Sequence, residues 1–184
     1  PGGFEKTPLT WVDSMPLMQE MVRYLEGCKE VALDLEHHSV RTFQGITCLV
    51  QISSRERDYI VDCIELRGSM HLLLGVLTDP KVTKVLHGAD SDVKWLQRDF
   101  GLYIVNLFDT GQAARVLELP SFGYAHLLES ICHVSADKQH QLADWRLRPL
   151  PLELLKYART DTHYLLHVYD TLRRRLAEAP GGRG

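Results

Sequence analysis

The sequence predicts an α/β domain. It has a mixed five-stranded sheet, three strands in an antiparallel meander and then parallel strands joined through helices, with helices on the flanks. Two observations carry this. Between residues 31 and 62, three strand-like runs follow one another with short polar or Gly-containing links, too short for crossover helices. From residue 66 to 132, strand-like and helical periodicities alternate, the pattern that builds βαβ units. A length of 184 residues, 45% of them hydrophobic, suits one such domain with a substantial core.

In chain order, residues 1–9 contain Pro1, Gly2, Gly3 and Pro8 and read as a tail. Met18, Met21, Val22 and Leu25 recur at helical spacing over residues 13–26, with Asp13 or Ser14 as cap, Pro16 in the first turn and Gly27 as stop. Residues 31–36, 47–53 and 59–62 are the meander strands. A helix over 66–77 ends at Asp79 and Pro80; a strand follows over 81–87, a helix over 91–100 stopped by Gly101, and a strand over 102–108. Helices are expected over 110–117 and 124–132, an irregular polar stretch over 133–151, and one long closing helix over 152–176. Residues 10–177 form the expected domain and 178–184 a second tail.

The formal charge of −3 argues against a purely electrostatic nucleic-acid binder, although residues 138–175 carry more Lys and Arg than acids. No apolar run approaches the roughly 20 residues of a membrane span. The chain opens on Pro1 and nothing at its start reads as a leader, so it is expected to be a piece of a longer protein. Cys28, Cys48, Cys63 and Cys132 form no CxxC pair and read as reduced thiols of a cytosolic or nuclear protein, without the clustering of a zinc site. His163 and His167, spaced i, i+4, lack the companion Glu of a zinc helix and read as structural.

Three acidic groups stand out. Asp34 and Glu36 lie two apart on a strand, so both carboxylates share a face, among the apolar Val31, Ala32, Leu33 and Leu35. Buried there, they need compensation, which a hard divalent cation supplies; at an exposed strand end, water would do it. The second group is Asp90 and Asp92, at a strand-to-helix turn where α/β proteins place ligands. Either acid can cap the helix, which leaves the other to explain. In the third, Tyr157 and Asp161 lie i, i+4 on one helical face. Asp62 and Asp109 end strands and read as caps.

Taken together as Asp34-x-Glu36, Asp92 and Tyr157-x-x-x-Asp161, these groups resemble the DEDD superfamily of 3′→5′ exonucleases, in the subclass with Tyr in its third motif. The segments Leu35-Glu-His-His-Ser39, His87-Gly-Ala-Asp-Ser-Asp92, Gln141-Leu-Ala-Asp-Trp-Arg146 and Asp161-Thr-His-Tyr-Leu-Leu166 resemble ribonuclease D. The likeness is greatest to the RNase D-like subunit family of the nuclear RNA exosome (the polymyositis–scleroderma autoantigen family). It runs from about residue 10 to 175, departing locally at Ser121-Phe-Gly-Tyr124.

The resemblance implies a ribonuclease H-like fold and a two-metal 3′→5′ exoribonuclease. Such an enzyme hydrolyses single-stranded RNA to nucleoside 5′-monophosphates with Mg²⁺ or Mn²⁺. It implies Asp34, Glu36, Asp92 and Asp161 as metal ligands, with Asp34 bridging, and it selects Asp92 over Asp90. Tyr157 is implied to orient the attacking water, and His37, Trp95 and Lys138 to contact the substrate. It also implies a nuclear role in RNA processing and decay, with the exosome core as partner through regions outside this chain. A DNA exonuclease of the same superfamily and an inactive RNA-binding scaffold are the alternatives; the complete set of acids argues against the second.

Overall fold

The computed structural model describes residues 3–39, 44–135 and 140–179. Its sheet has six strands: β1 (Leu9–Val12), β2 (Glu30–His38), β3 (Ile46–Ser53), β4 (Asp58–Asp62), β5 (Thr83–Leu86) and β6 (Leu107–Asp109), in the order β1-β4-β3-β2-β5-β6. The meander of β2, β3 and β4 is antiparallel; β5 pairs parallel with β2, and β6 with β5. The five-stranded expectation is short by β1, which pairs parallel with β4 along the far edge, Leu9 opposite Asp58 and Val12 opposite Val61. Its first residue, Leu9, ends the stretch read as a tail, the rest falls in no predicted element, and their partner lies about fifty residues on, beyond the reach of local periodicity.

The predicted tail carries further order. Phe4–Lys6 forms a 3₁₀ turn, and Arg159 Nη2 donates to the carbonyls of Phe4 (3.2 Å) and Thr7 (2.5 Å). The strand expected over 102–108 shortens to β6. The helix expected over 66–77 divides into a 3₁₀ helix (Arg67–Leu73) and α2 (Leu74–Thr78). The remaining helices are α1 (Met15–Leu25), α3 (Asp90–Phe100), α4 (Thr110–Val116), α5 (Tyr124–Leu127), which runs into a π-helical turn at Leu128–Cys132, α6 (Leu152–His163) and α7 (Leu165–Glu178). The single closing helix expected over 152–176 is broken at Tyr164. The break lets α6 cover β2, β3 and β4 while α7 turns onto β2, β5 and α4.

Strand alternation divides the sheet into two unlike faces. Val31, Leu33, Leu35, Val50, Ile52, Tyr59 and Val61 pack against α1, the 3₁₀ helix and α3 in the main apolar core. On the other face Ala32, Leu49 and Ile60 pack under α6, α7 and Trp145. That face also receives Asp34, Glu36, Gln51, Ser53, Asp58 and Asp62. The four cysteines are free thiols, Cys48 and Cys63 buried. No helix among the described residues is long and apolar enough to cross a membrane.

Candidate active site

Asp34 and Glu36 stand on the α6 face of β2, and Asp161 reaches them from α6. One carboxylate oxygen from each lies within 4.8 Å of the others. Asp92, buried in the first turn of α3, lines the same cleft of about 290 Å³, together with Trp95, His87, Tyr124, Gln141 and Tyr157. Asp90 is exposed and outside it. Nor does Asp90 cap α3. Asp109 does more than its predicted cap: it accepts from Gly111 and Gln112 at the start of α4, and from Gly88 and Ala89 just before α3. One carboxylate thus ties the start of α3, which carries Asp92, to the end of β6.

No Lys or Arg among the described residues lines the cleft. Burial, and after it the charges of Asp161 and Asp92, push Asp34 well above the usual carboxylate range. Burial and then Asp34 do the same to Glu36. Burial pushes Asp92 and Asp161 up to about 7. His87 does not offset these charges, because burial lowers its pKa and favours the neutral ring, held at 2.9 Å from Thr110 Oγ1. Burial, followed by Asp161, Glu36 and Asp34, raises the Tyr157 hydroxyl above its ordinary value; a hydrogen bond with Gln141 opposes this. The hydroxyl is therefore protonated at neutral pH and available as a donor.

The predicted contact residues divide. Trp95 reaches the cleft while its ring also packs on the main core. His37 does not line the cleft. A bulge between Glu36 and His37 interrupts the register with β3, and the His37 ring stacks on Trp95 at 4.3 Å, nearly parallel. Arg98 Nη2 lies 3.1 Å from its Nε2. Gly45, at φ +63°, keeps this arrangement open, since a Cβ there would meet the His37 ring at 2.0 Å. Lys138 lies outside the described residues. Among the described residues His163 belongs to no cluster of candidate metal ligands, and it faces the Asp58 carboxylate at 2.7 Å.

Sequence reasoning missed Gln51, Tyr124 and the role of His87. Gln51 is a single polar residue inside an apolar strand run, and Tyr124 stands at the start of a predicted helix within the segment that departs from the family pattern. Tyr124 donates to the Thr160 carbonyl, one residue before Asp161 (3.3 Å).

Comparison with known proteins is informative along nearly the whole chain. The family described as 3′-5′ exonuclease matches residues 9–177. The human "Exosome complex component 10" is 54% identical over 179 residues, covering 97% of this chain and 20% of the human one. The solved catalytic core of RRP6 from Trypanosoma brucei has a TM-score of 0.93 at 47% identity, covering 96% of this chain and 49% of that one. Escherichia coli RNase D, described as an exoribonuclease involved in structured RNA processing, has a TM-score of 0.85 at 26% identity, covering 91% and 44%. The chain spans about one fifth of the length of the human relative.

Proposed function

The chain belongs to the 3′-5′ exonuclease family, and from that premise we propose that residues 10–177 are a metal-dependent 3′→5′ exoribonuclease domain that releases nucleoside 5′-monophosphates from single-stranded RNA. The observation that carries this is a buried group of acids with no protein cation. Carboxylates from Asp34, Glu36 and Asp161 converge within 4.8 Å, and no Lys or Arg among the described residues lines their cleft. Such a set is costly to desolvate and suits hard divalent cations, whose preferred donors are carboxylate oxygens. Asp34, Glu36, Asp92 and Asp161 would hold two such ions, Mg²⁺ or Mn²⁺. When bound, the ions supply an activated water and charge stabilisation at the scissile phosphate and leaving oxygen.

The chain's own residues supply orientation. The neutral Tyr157 hydroxyl donates a hydrogen bond to the attacking water and aligns it with the phosphorus; its raised pKa argues against a role as free phenolate base. Trp95, half-buried at the cleft wall, offers a ring face to the terminal base. His37, stacked behind Trp95, and Lys138 complete the proposed substrate contacts. The relatives' description as exosome components supports the exosome core as partner and RNA processing and decay as the setting; the nucleus as the place follows from the family resemblance alone.

The test is digestion of matched RNA and DNA oligonucleotides, labelled at either end, with Mg²⁺, Mn²⁺ or EDTA. Stepwise shortening of RNA from its 3′ end, abolished by EDTA, is expected. Internal cleavage, or activity persisting in EDTA, would overturn the reading.

A further inference from the structure

Gln51 is fully buried in the middle of β3, between the core residues Val50 and Ile52. It pairs in register with Asp34 across the β2–β3 ladder, so the two side chains share a face. Its Nε2 lies 3.5 Å from Asp34 Oδ2 and 3.3 Å from Glu36 Oε1. Its Oε1 is buried with no hydrogen-bond partner among the described residues. A central strand position of this kind favours Val, Ile or Leu, and a half-satisfied amide is unfavourable there. The Nε2 contacts are the only compensation that the described residues give it.

We propose that Gln51 is a positioning residue for the metal-binding acids. Its one amide group engages one oxygen of Asp34 and one of Glu36, holding both carboxylates in place where they converge with Asp161. The neutrality of the donor is the essential property. A Lys or Arg at 51 would orient the same carboxylates but neutralise them and compete with a cation. An amide fixes their geometry and leaves their charge for the ion. The proposal rests on the divalent-cation reading of the cleft.

The test is Mn²⁺ binding by isothermal titration calorimetry, with metal-free and Mn²⁺-loaded melting temperatures, on the parent, Gln51→Leu and Gln51→Met. Met keeps the length of Gln without a donor, so one variant folds even where the branched Leu does not fit. Expected is Mn²⁺ affinity weakened about tenfold, in the range for groups that orient metal ligands, with the metal-free melting temperature unchanged or raised. The Mg²⁺ concentration for half-maximal RNA hydrolysis should rise by a similar factor, with much of the rate recovered at saturating metal. Parent-like Mn²⁺ affinity in the folded variants would overturn the proposal, since a merely structural Gln51 would alter only the melting temperature. A parent that itself shows no Mn²⁺ binding and no Mn²⁺-dependent melting shift would instead refute the cation reading of the cleft.

Discussion

Two groups of buried acids share one face of the sheet and are treated in opposite ways. Asp58 and Asp62, on β4, are each met by protein cations. Arg159 Nε and His163 Nδ1 both lie 2.7 Å from Asp58 Oδ2. Ser53 donates to Asp58 Oδ1 and shares a hydrogen bond with Thr162. Arg148 donates through two nitrogens to Asp62, which also accepts from the backbone of Ile64 and Glu65. Burial works to raise both carboxyls, but these donors outweigh it and hold them below the usual range. Two strands away, Asp34 and Glu36 meet neutral donors such as the Gln51 amide and, among the described residues, no Lys or Arg lining their cleft, and their pKa values rise. The same backbone thus builds saturated ion pairs that fix α6 and the 145–150 loop, beside an acid set that no Lys or Arg meets among the described residues. Burial of an acid alone does not mark a site; burial without a cation does.

The comparison can be broken by making the same substitution in both groups. Asp34→Asn should reduce RNA hydrolysis by more than about 100-fold, the upper end of what losing a residue that only supports a ligand costs. At pH 8 it should also raise the metal-free melting temperature, because it removes an uncompensated charge. Steady-state digestion and metal-free thermal melts check the two halves, and a fall in the melting temperature would sink the contrast.

Asp58→Asn should act the other way, leaving the Arg159 guanidinium without its anion and costing about 3–5 kcal/mol in denaturant unfolding. Asp62→Asn should cost less, about 1.5–3 kcal/mol by the same measurement, because Arg148 keeps its bonds to the Trp145 and Leu147 carbonyls and remains partly solvated. Equal losses at the two positions would mean that burial of the cation does not matter here.

A smaller effect sharpens the contrast through pH. Asp161 has its pKa raised to about 7, against about 3.9 in an unfolded chain. Its favourable contribution is complete below the unfolded value and is lost as pH rises through 7. Asp161→Asn should therefore change the metal-free melting temperature least near pH 4 and raise it progressively up to pH 8. Asp58 has the opposite sign: its stabilisation is present above about pH 4 and is lost as pH falls through its lowered folded value. A melting-temperature difference between Asp161→Asn and parent that stays flat from pH 5 to 8 would remove the electrostatic basis of the comparison.

Much of this was legible because it depends on local geometry. The two-residue spacing of Asp34 and Glu36 becomes a shared face on any strand, and the four-residue spacing of Tyr157 and Asp161 becomes one face of any helix. The meander and the alternation after it followed from link lengths and periodicity. Residue chemistry along the chain thus specified which acids come in pairs, which segments carry them, and the sheet-with-helices class.

Everything that depends on partners distant in the chain was decided by packing. β1 exists because β4 offers it an edge, and α6 ends at Tyr164 because the two halves of the closing segment cover different strands. Asp92 rather than Asp90 enters the cleft because of how α3 docks, its start tied through Gly88 and Ala89 to Asp109 far along the chain. The choice of which acids receive cations was also tertiary: Arg159 and Arg148 are paired to β4 by the docking of α6 and the 145–150 loop, and no spacing in the sequence encodes that a neighbouring pair meets none among the described residues. Spacing sets direction along one element, whereas compensation of a buried charge is a property of the space where several elements meet.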